Sequence, residues 1–238
     1  MLAKQPGGTS ALRDLVVRIV AGDVDVVSSR VADDPTLASA VSSVGASREH
    51  AQLYFFSEIS HYLYVGDTAL HMAAAAFQKP IAEILVAYGA NCRARNHRGA
   101  EPLHYAADTN HWSPAAQAET ITYLVSIGAD ANAVDKSGVT PLHRAVRTRS
   151  AAAVRALLDA GANARQPNAS GSTPLHLAVQ TTGRGSSGSE AAQEQQAAII
   201  RLLLAHGALP TDPDAKGKQV QQAATGARVR ALLDATRE

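Results

Sequence analysis

The chain has 238 residues, 46% of them hydrophobic and 18% charged, an ordinary composition for a folded protein with a sizeable core. Its 22 basic and 21 acidic residues leave a formal net charge of +1, so no global field draws it to nucleic acid or an anionic membrane, and only a local patch can. A single cysteine, Cys92, excludes an internal disulfide and a cysteine-based zinc cluster.

Aromatics make up 4% of the chain, so the core is built from Ala, Leu and Val, small side chains that suit closely packed helices. Residues 1–10, with Pro6, Gly7 and Gly8, read as a loose arm ending in a helix cap at Thr9 or Ser10. Leu12, Leu15, Val16, Ile19 and Val20 then fall at helical spacing. Arg18 interrupts the apolar run Leu15 to Ala21 well short of a signal peptide or membrane span, which gives the expectation of a cytoplasmic protein. Gly22-Asp23 breaks this helix before a second one through Val24, Val27 and Val31, and Asp34-Pro35 closes it.

Residues 41–65 differ in kind. Tyr54, Phe55, Phe56, Tyr62 and Tyr64 crowd into one short stretch, and Leu53, Phe56, Ile59 and Leu63 share a face if the stretch is helical. The spacing predicts a helix sealing the end of the core; the alternative is a binding patch, with Tyr64 as its most exposed ring.

From Gly66 the sequence repeats. First helices open as GDTALHMAA at Gly66, GAEPLHYAA at Gly99, GVTPLHRAV at Gly138 and GSTPLHLAV at Gly171, and second helices end in YGAN, IGAD, AGAN and HGAL at Gly89, Gly128, Gly161 and Gly207. Each closing glycine lies 10 residues before the next opening glycine, up to Gly217, so one stereotyped turn joins successive units. Within a unit, Thr140 caps a helix, Pro141 suits its first position, and Leu142, Ala145 and Val146 form an apolar stripe. Val154, Leu157 and Leu158 repeat that stripe in the second helix, and Gly161 ends it in the left-handed conformation. Two short helices cannot make a core alone, so each unit stacks on its neighbours.

The T-P-L-H-x-A pattern at a period near 33 resembles the ankyrin repeat family. The resemblance implies an all-α fold, an ankyrin-repeat α-solenoid with short β-hairpin-like turns and helical terminal caps. It divides the chain into an arm (1–10), a divergent N-terminal helical cap with the aromatic segment (11–65), four repeats (66–98, 99–137, 138–170 and 171–216) and a C-terminal capping half-repeat (217–238). In the half-repeat, Val220, Ala223 and Ala224 mark a first helix and Val229, Leu232 and Leu233 a second. Periods of 33, 39, 33 and 46 residues place extra length in the second repeat, around 108–113, and in the fourth, where a Gly/Ser loop at 183–189 precedes a long helix, Glu190 to Ala205. The second repeat also has Glu101 where its siblings have Thr68, Thr140 and Thr173, losing the preferred hydroxyl cap, and is expected to be looser.

His71, His104, His143 and His176 recur one repeat apart, about 10 Å, too far for several to share a metal ion. The resemblance instead implies that each bonds the neighbouring Thr hydroxyl and the hairpin backbone. No nucleophile elbow, phosphate loop or zinc motif occurs, so no catalytic, cofactor-binding or metal-binding residue is assigned. Cys92 reads as a buried inert thiol.

The family's mode of binding implies that hairpin tips and first-helix ends meet a partner on a concave face. That assigns Tyr64, Asp67, His97, Arg98 and Lys136 at the tips and Asp108 and Arg147 at helix ends. Arg93, Arg95, Arg98, Lys136 and Arg147 make this face mildly basic, which suits an acidic partner or a merely solvated surface. Trp112, the only tryptophan, sits in an insertion, either as an interface anchor or folded back over Ile121. The expectation is a monomeric, non-catalytic module that binds an unidentified protein and no membrane. The alternative is binding of nucleic acid or another polyanion through the central basic tips.

Overall fold

A computed structural model of the chain describes residues 7–108, 113–180, 188–224 and 226–235. Two compact units make up the chain, Met1–Asp130 and Ala131–Glu238. No helix among the described residues is long and apolar enough to cross a membrane.

The first unit begins with α1 (Gly7–Ala21), α2 (Val24–Asp33) and a short α3 (Thr36–Ser39). Helix α1 starts at Gly7, earlier than the sequence suggests. Its residues Leu12, Leu15, Val16 and Ile19 are buried and pack on α4 (Ala69–Ala75), every residue of which is buried. Each such leucine taken fully out of water contributes about 1.5–3 kcal/mol. Helix α5 (Lys79–Ala87) packs between α2 and α7 (Pro114–Ser126), while α4 packs on α6 (Pro102–Ala107). Alanines along α4 let these helices approach closely.

The aromatic segment is not the predicted helix. It forms a 3-10 turn (Ala51–Tyr54) and a two-stranded antiparallel sheet, with β1 (Phe55–Phe56) paired to β2 (His61–Tyr62) in the register Phe55 to Tyr62 and Phe56 to His61. Aromatic side chains favour a pleated, half-buried surface, and the turn between the strands places Ser60 at φ 47°. The four residues expected on one helical face are split: Ile59 and Leu63 are buried, whereas Leu53 is 60% exposed. Residues upstream run beside the first hairpin tip, with Ser42 N–H donating to Asp67 O and Gly66 N–H to Ser42 O, both at 2.8 Å, and Ala46 N–H to Leu63 O at 2.8 Å.

The second unit contains α8 (Pro141–Arg147), α9 (Ala151–Asp159), α10 (Pro174–Ala178), α11 (Glu190–Ala205), α12 (Val220–Ala223) and α13 (Ala227–Asp234). First helices pack on first helices, α8 on α10 and α10 on α12, and second helices likewise, α9 on α11 and α11 on α13. Helix α11 covers the residues read from the sequence, and Ser189 caps it by accepting Ala192 N–H at 3.3 Å. Leu142, Val154, Leu157, Leu175 and Leu203 form the core. The predicted loop at 183–189 lies outside the described residues up to 187.

Second helices in both units end alike. Gly161, at φ 85°, lets Ala162 N–H return to Leu157 O at 2.9 Å, and Ala90, Ala129 and Ala208 return to Leu85, Leu124 and Leu203 in the same way.

Candidate functional site

The recurring residues are occupied by the scaffold. In the second unit, Thr140 N–H donates to His143 Nδ1 at 3.3 Å and Thr173 N–H to His176 Nδ1 at 3.1 Å. A ring nitrogen that accepts a backbone N–H carries no proton, so Nε2 holds the hydrogen and donates onward, from His143 to Ser172 O at 3.0 Å and from His176 to Lys218 O at 3.2 Å. Burial holds the His143 imidazole below its ordinary value of 6.5. In the first unit His71 does the same between Thr68 and Ala100 O. His104 accepts from Glu101 N–H at 3.1 Å, so the second repeat keeps its capping box with a carboxylate in place of a hydroxyl. That substitution is uncomfortable: Glu101 is buried, burial pushes its carboxyl up against the pull of Arg95, and Oε2 has no hydrogen-bond partner among the described residues.

A further recurring residue escaped the sequence reading. Three residues before an opening glycine stand Asn96, Asp135, Asn168 and Asp214, each with Oδ1 accepting the N–H groups two and four residues on. These turns lock the hairpin tips. The N-x-x-G or D-x-x-G spacing was the available signal. The two N–H bonds from Lys218 and Lys216 also hold the Asp214 carboxyl below the usual range. Adjacent tips are joined by backbone bonds, His97 N–H to Val65 O at 3.0 Å in the first unit, and Ala169 N–H to Ser137 O and Ala215 N–H to Ser170 O at 3.0 and 3.2 Å in the second.

On this frame the assigned surface residues divide. His97, Arg98, Lys136 and Arg147 are exposed, and Tyr64 is half-buried. Asp67 is a correction: it flanks an opening glycine, yet its carboxylate points inward and accepts Tyr64 N–H at 2.6 Å, Asn96 Nδ2 at 2.9 Å and the Tyr105 hydroxyl at 2.7 Å. Leu63 occupies the position of the missing Asn or Asp in this first tip, and Asp67 fixes the turn from its other side. Asp108 is also buried, as the C-cap of α6. Trp112 lies outside the described residues. The basic face is smaller than its residue count, because Arg93 pairs with Asp130 at 3.5 Å and Arg95 with Glu101 at 3.2 Å. Cys92 is half-buried rather than buried, and burial pushes its thiol up, away from the reactive thiolate.

The first unit gathers aromatic and cationic groups at its N-terminal tip. The Arg98 guanidinium lies 4.0 Å over the Tyr64 ring, Tyr64 lies 6.1 Å from Tyr62, and Tyr62 lies 4.8 Å from Phe55. Tyr64 is thus covered by Arg98 and is not the most exposed ring; Phe55 is more open. An open pocket of about 260 Å³ is lined by Ser47, Arg48, Tyr62, Tyr64 and Arg98. Arg48, in the turn at 48–50, carried no local sequence signal. Among the described residues no cluster of His, Cys, Asp and Glu is spaced to hold a metal ion.

No curated protein matches the chain. Its sequence does match the family described as ankyrin repeats (3 copies) over residues 37–114 and 112–187, and that described as ankyrin repeat over 170–218. These matches run through the capping boxes and hairpin tips that recur in both units, and the chain belongs to the ankyrin repeat family.

Proposed function

We propose that this protein is a non-catalytic binding module, acting in the cytoplasm as a monomer, that recognises a partner protein through its hairpin tips. Ankyrin repeats are in general protein-interaction modules. The observation that carries the reading is a division of labour. Residues that recur between units, the histidines and the Asn or Asp turns, are consumed by internal hydrogen bonds, whereas the exposed tip residues Arg98 and Lys136 differ from unit to unit. Tip backbones held by their own Asn and Asp side chains lose little further entropy on binding. The first unit's tip is the favoured contact, because exposed Phe55, Leu53 and Val65 accompany Arg98 there.

The test is affinity capture from cells that express the protein, with cross-linking before lysis. The reading expects a partner recovered with the wild-type chain and lost with Arg98→Glu or Lys136→Glu at unchanged thermal stability. Recovery that is indifferent to every tip substitution would remove it.

A further inference from the structure

The pocket beside Tyr64 has a chemistry narrower than general protein binding. Arg48 and Arg98 both line it, and neither guanidinium is ion-paired among the described residues. The neighbouring carboxylate, Asp67, is turned inward with its oxygens taken by Tyr64, Asn96 and Tyr105, and Glu49 does not line the pocket. Stacking over Tyr64 holds the Arg98 plane while leaving its edge N–H groups available for a bidentate acceptor. The tip backbone that carries Arg98 is fixed in turn, because Arg98 N–H donates to Asn96 Oδ1 at 2.9 Å and the next residue but one, Ala100, does so at 3.1 Å. The site is preset.

The segments that carry the pocket also expose apolar side chains. Phe55 is 36% exposed with its ring against Tyr62, and Leu53, Val65 and Val41 are 60%, 40% and 60% exposed on the same segments. Exposed apolar side chains beside two unneutralised arginines fit a ligand that carries both an anion and an apolar group. Nucleic acid fits less well: the base-stacking face of Tyr64 is already covered by Arg98, and two cations are few for a phosphate backbone. We infer that this pocket docks an extended acidic segment of a partner protein. An Asp or Glu carboxylate is held between Arg48 and Arg98, and a neighbouring aromatic or aliphatic side chain lies on Phe55 and Tyr62. The inference rests on the protein-binding reading above and names the chemistry of the ligand.

The experiment immobilises the full chain and applies four degenerate synthetic peptide libraries that differ only in a fixed central residue, Glu, Gln, Lys or phosphoserine, and separately an oligodeoxythymidine strand. The Glu library is expected to be retained about tenfold over the Gln library, one bidentate charged contact. Retained peptides should be enriched in Phe, Tyr, Leu or Ile within three positions of the Glu. Arg48→Gln and Arg98→Gln should each remove most of that retention with unchanged melting, and Arg201→Gln, on the exposed side of α11, should not. Equal retention of Glu and Gln libraries, preference for phosphoserine or the oligonucleotide, or indifference to both pocket arginines overturns the inference. A partner protein still captured by the Arg48→Gln/Arg98→Gln chain at wild-type affinity defeats this pocket and leaves the protein-binding reading standing; a wild-type chain that captures no protein defeats both.

Discussion

The Tyr105 hydroxyl donates to the buried Asp67 Oδ1 at 2.7 Å, and Asn96 Nδ2 donates to that Oδ1 and to the Tyr105 hydroxyl oxygen, each at 2.9 Å, so one repeat's first helix holds the opening of the repeat before it. Tyr105→Phe removes a donor from a buried charge without changing shape. It is expected to cost about 1–3 kcal/mol, read as a lower urea midpoint at constant m-value. An unchanged midpoint would mean that Asp67 is satisfied without Tyr105.

His143 links Thr140 to the next hairpin, and His143→Ala should cost about 1–3 kcal/mol in the same assay. Its folded imidazole titrates below the ordinary 6.5, so as pH falls beneath 6.5 the unfolded chain takes up the proton first. Stability present above 6.5 is therefore lost on acidification. Melting compared at pH 7.5 and 5.5 should show a smaller drop in His143→Gln than in the wild type; equal drops would contradict the assignment.

Glu101→Thr should stabilise the protein by about 1 kcal/mol, since it restores a hydroxyl cap and removes a buried carboxylate oxygen without a partner. The lost contact with half-exposed Arg95 is a weak one. A lower melting temperature in this variant would show that the Arg95 pair matters more than the cap.

Gly161 and Gly171 separate two costs. A Cβ at Gly161 meets nothing within 4 Å, so Gly161→Ala bears only the left-handed backbone penalty of about 1–2 kcal/mol. A Cβ at Gly171, at φ 75°, falls 2.2 Å from Ala215 N, where neighbouring tips are bonded, and Gly171→Ala should cost clearly more. Equal losses would argue that the tips can part.

Repeats were legible because they are local and reiterated. The glycine ends and the full extent of α11 follow from residues within one repeat, whereas the histidine roles came from the family resemblance, since each histidine reaches the next repeat's backbone. The aromatic segment was not, because its apolar spacing satisfies a helical face as well as a strand pair, and the turn with Ser60 at positive φ carries no glycine to announce it. Asp67 was misplaced for a different reason. Its partner Tyr105 is 38 residues away, and nothing near Asp67 signals that its side chain turns inward. Arg48 likewise meets pocket partners, Tyr62, Tyr64 and Arg98, that are distant from it in sequence.

Scaffold and surface are separable by one comparison, the calorimetric affinity of the recovered partner for Arg98→Ala and for Asn168→Ala, at a temperature where both are folded. Asn168 Oδ1 accepts Ser170 N–H, Ser172 N–H and the Ser170 hydroxyl, and belongs to the frame. The account predicts that Arg98→Ala weakens binding about tenfold or more with unchanged melting, and that Asn168→Ala lowers melting with affinity kept. Affinity lost in Asn168→Ala and kept in Arg98→Ala would contradict it.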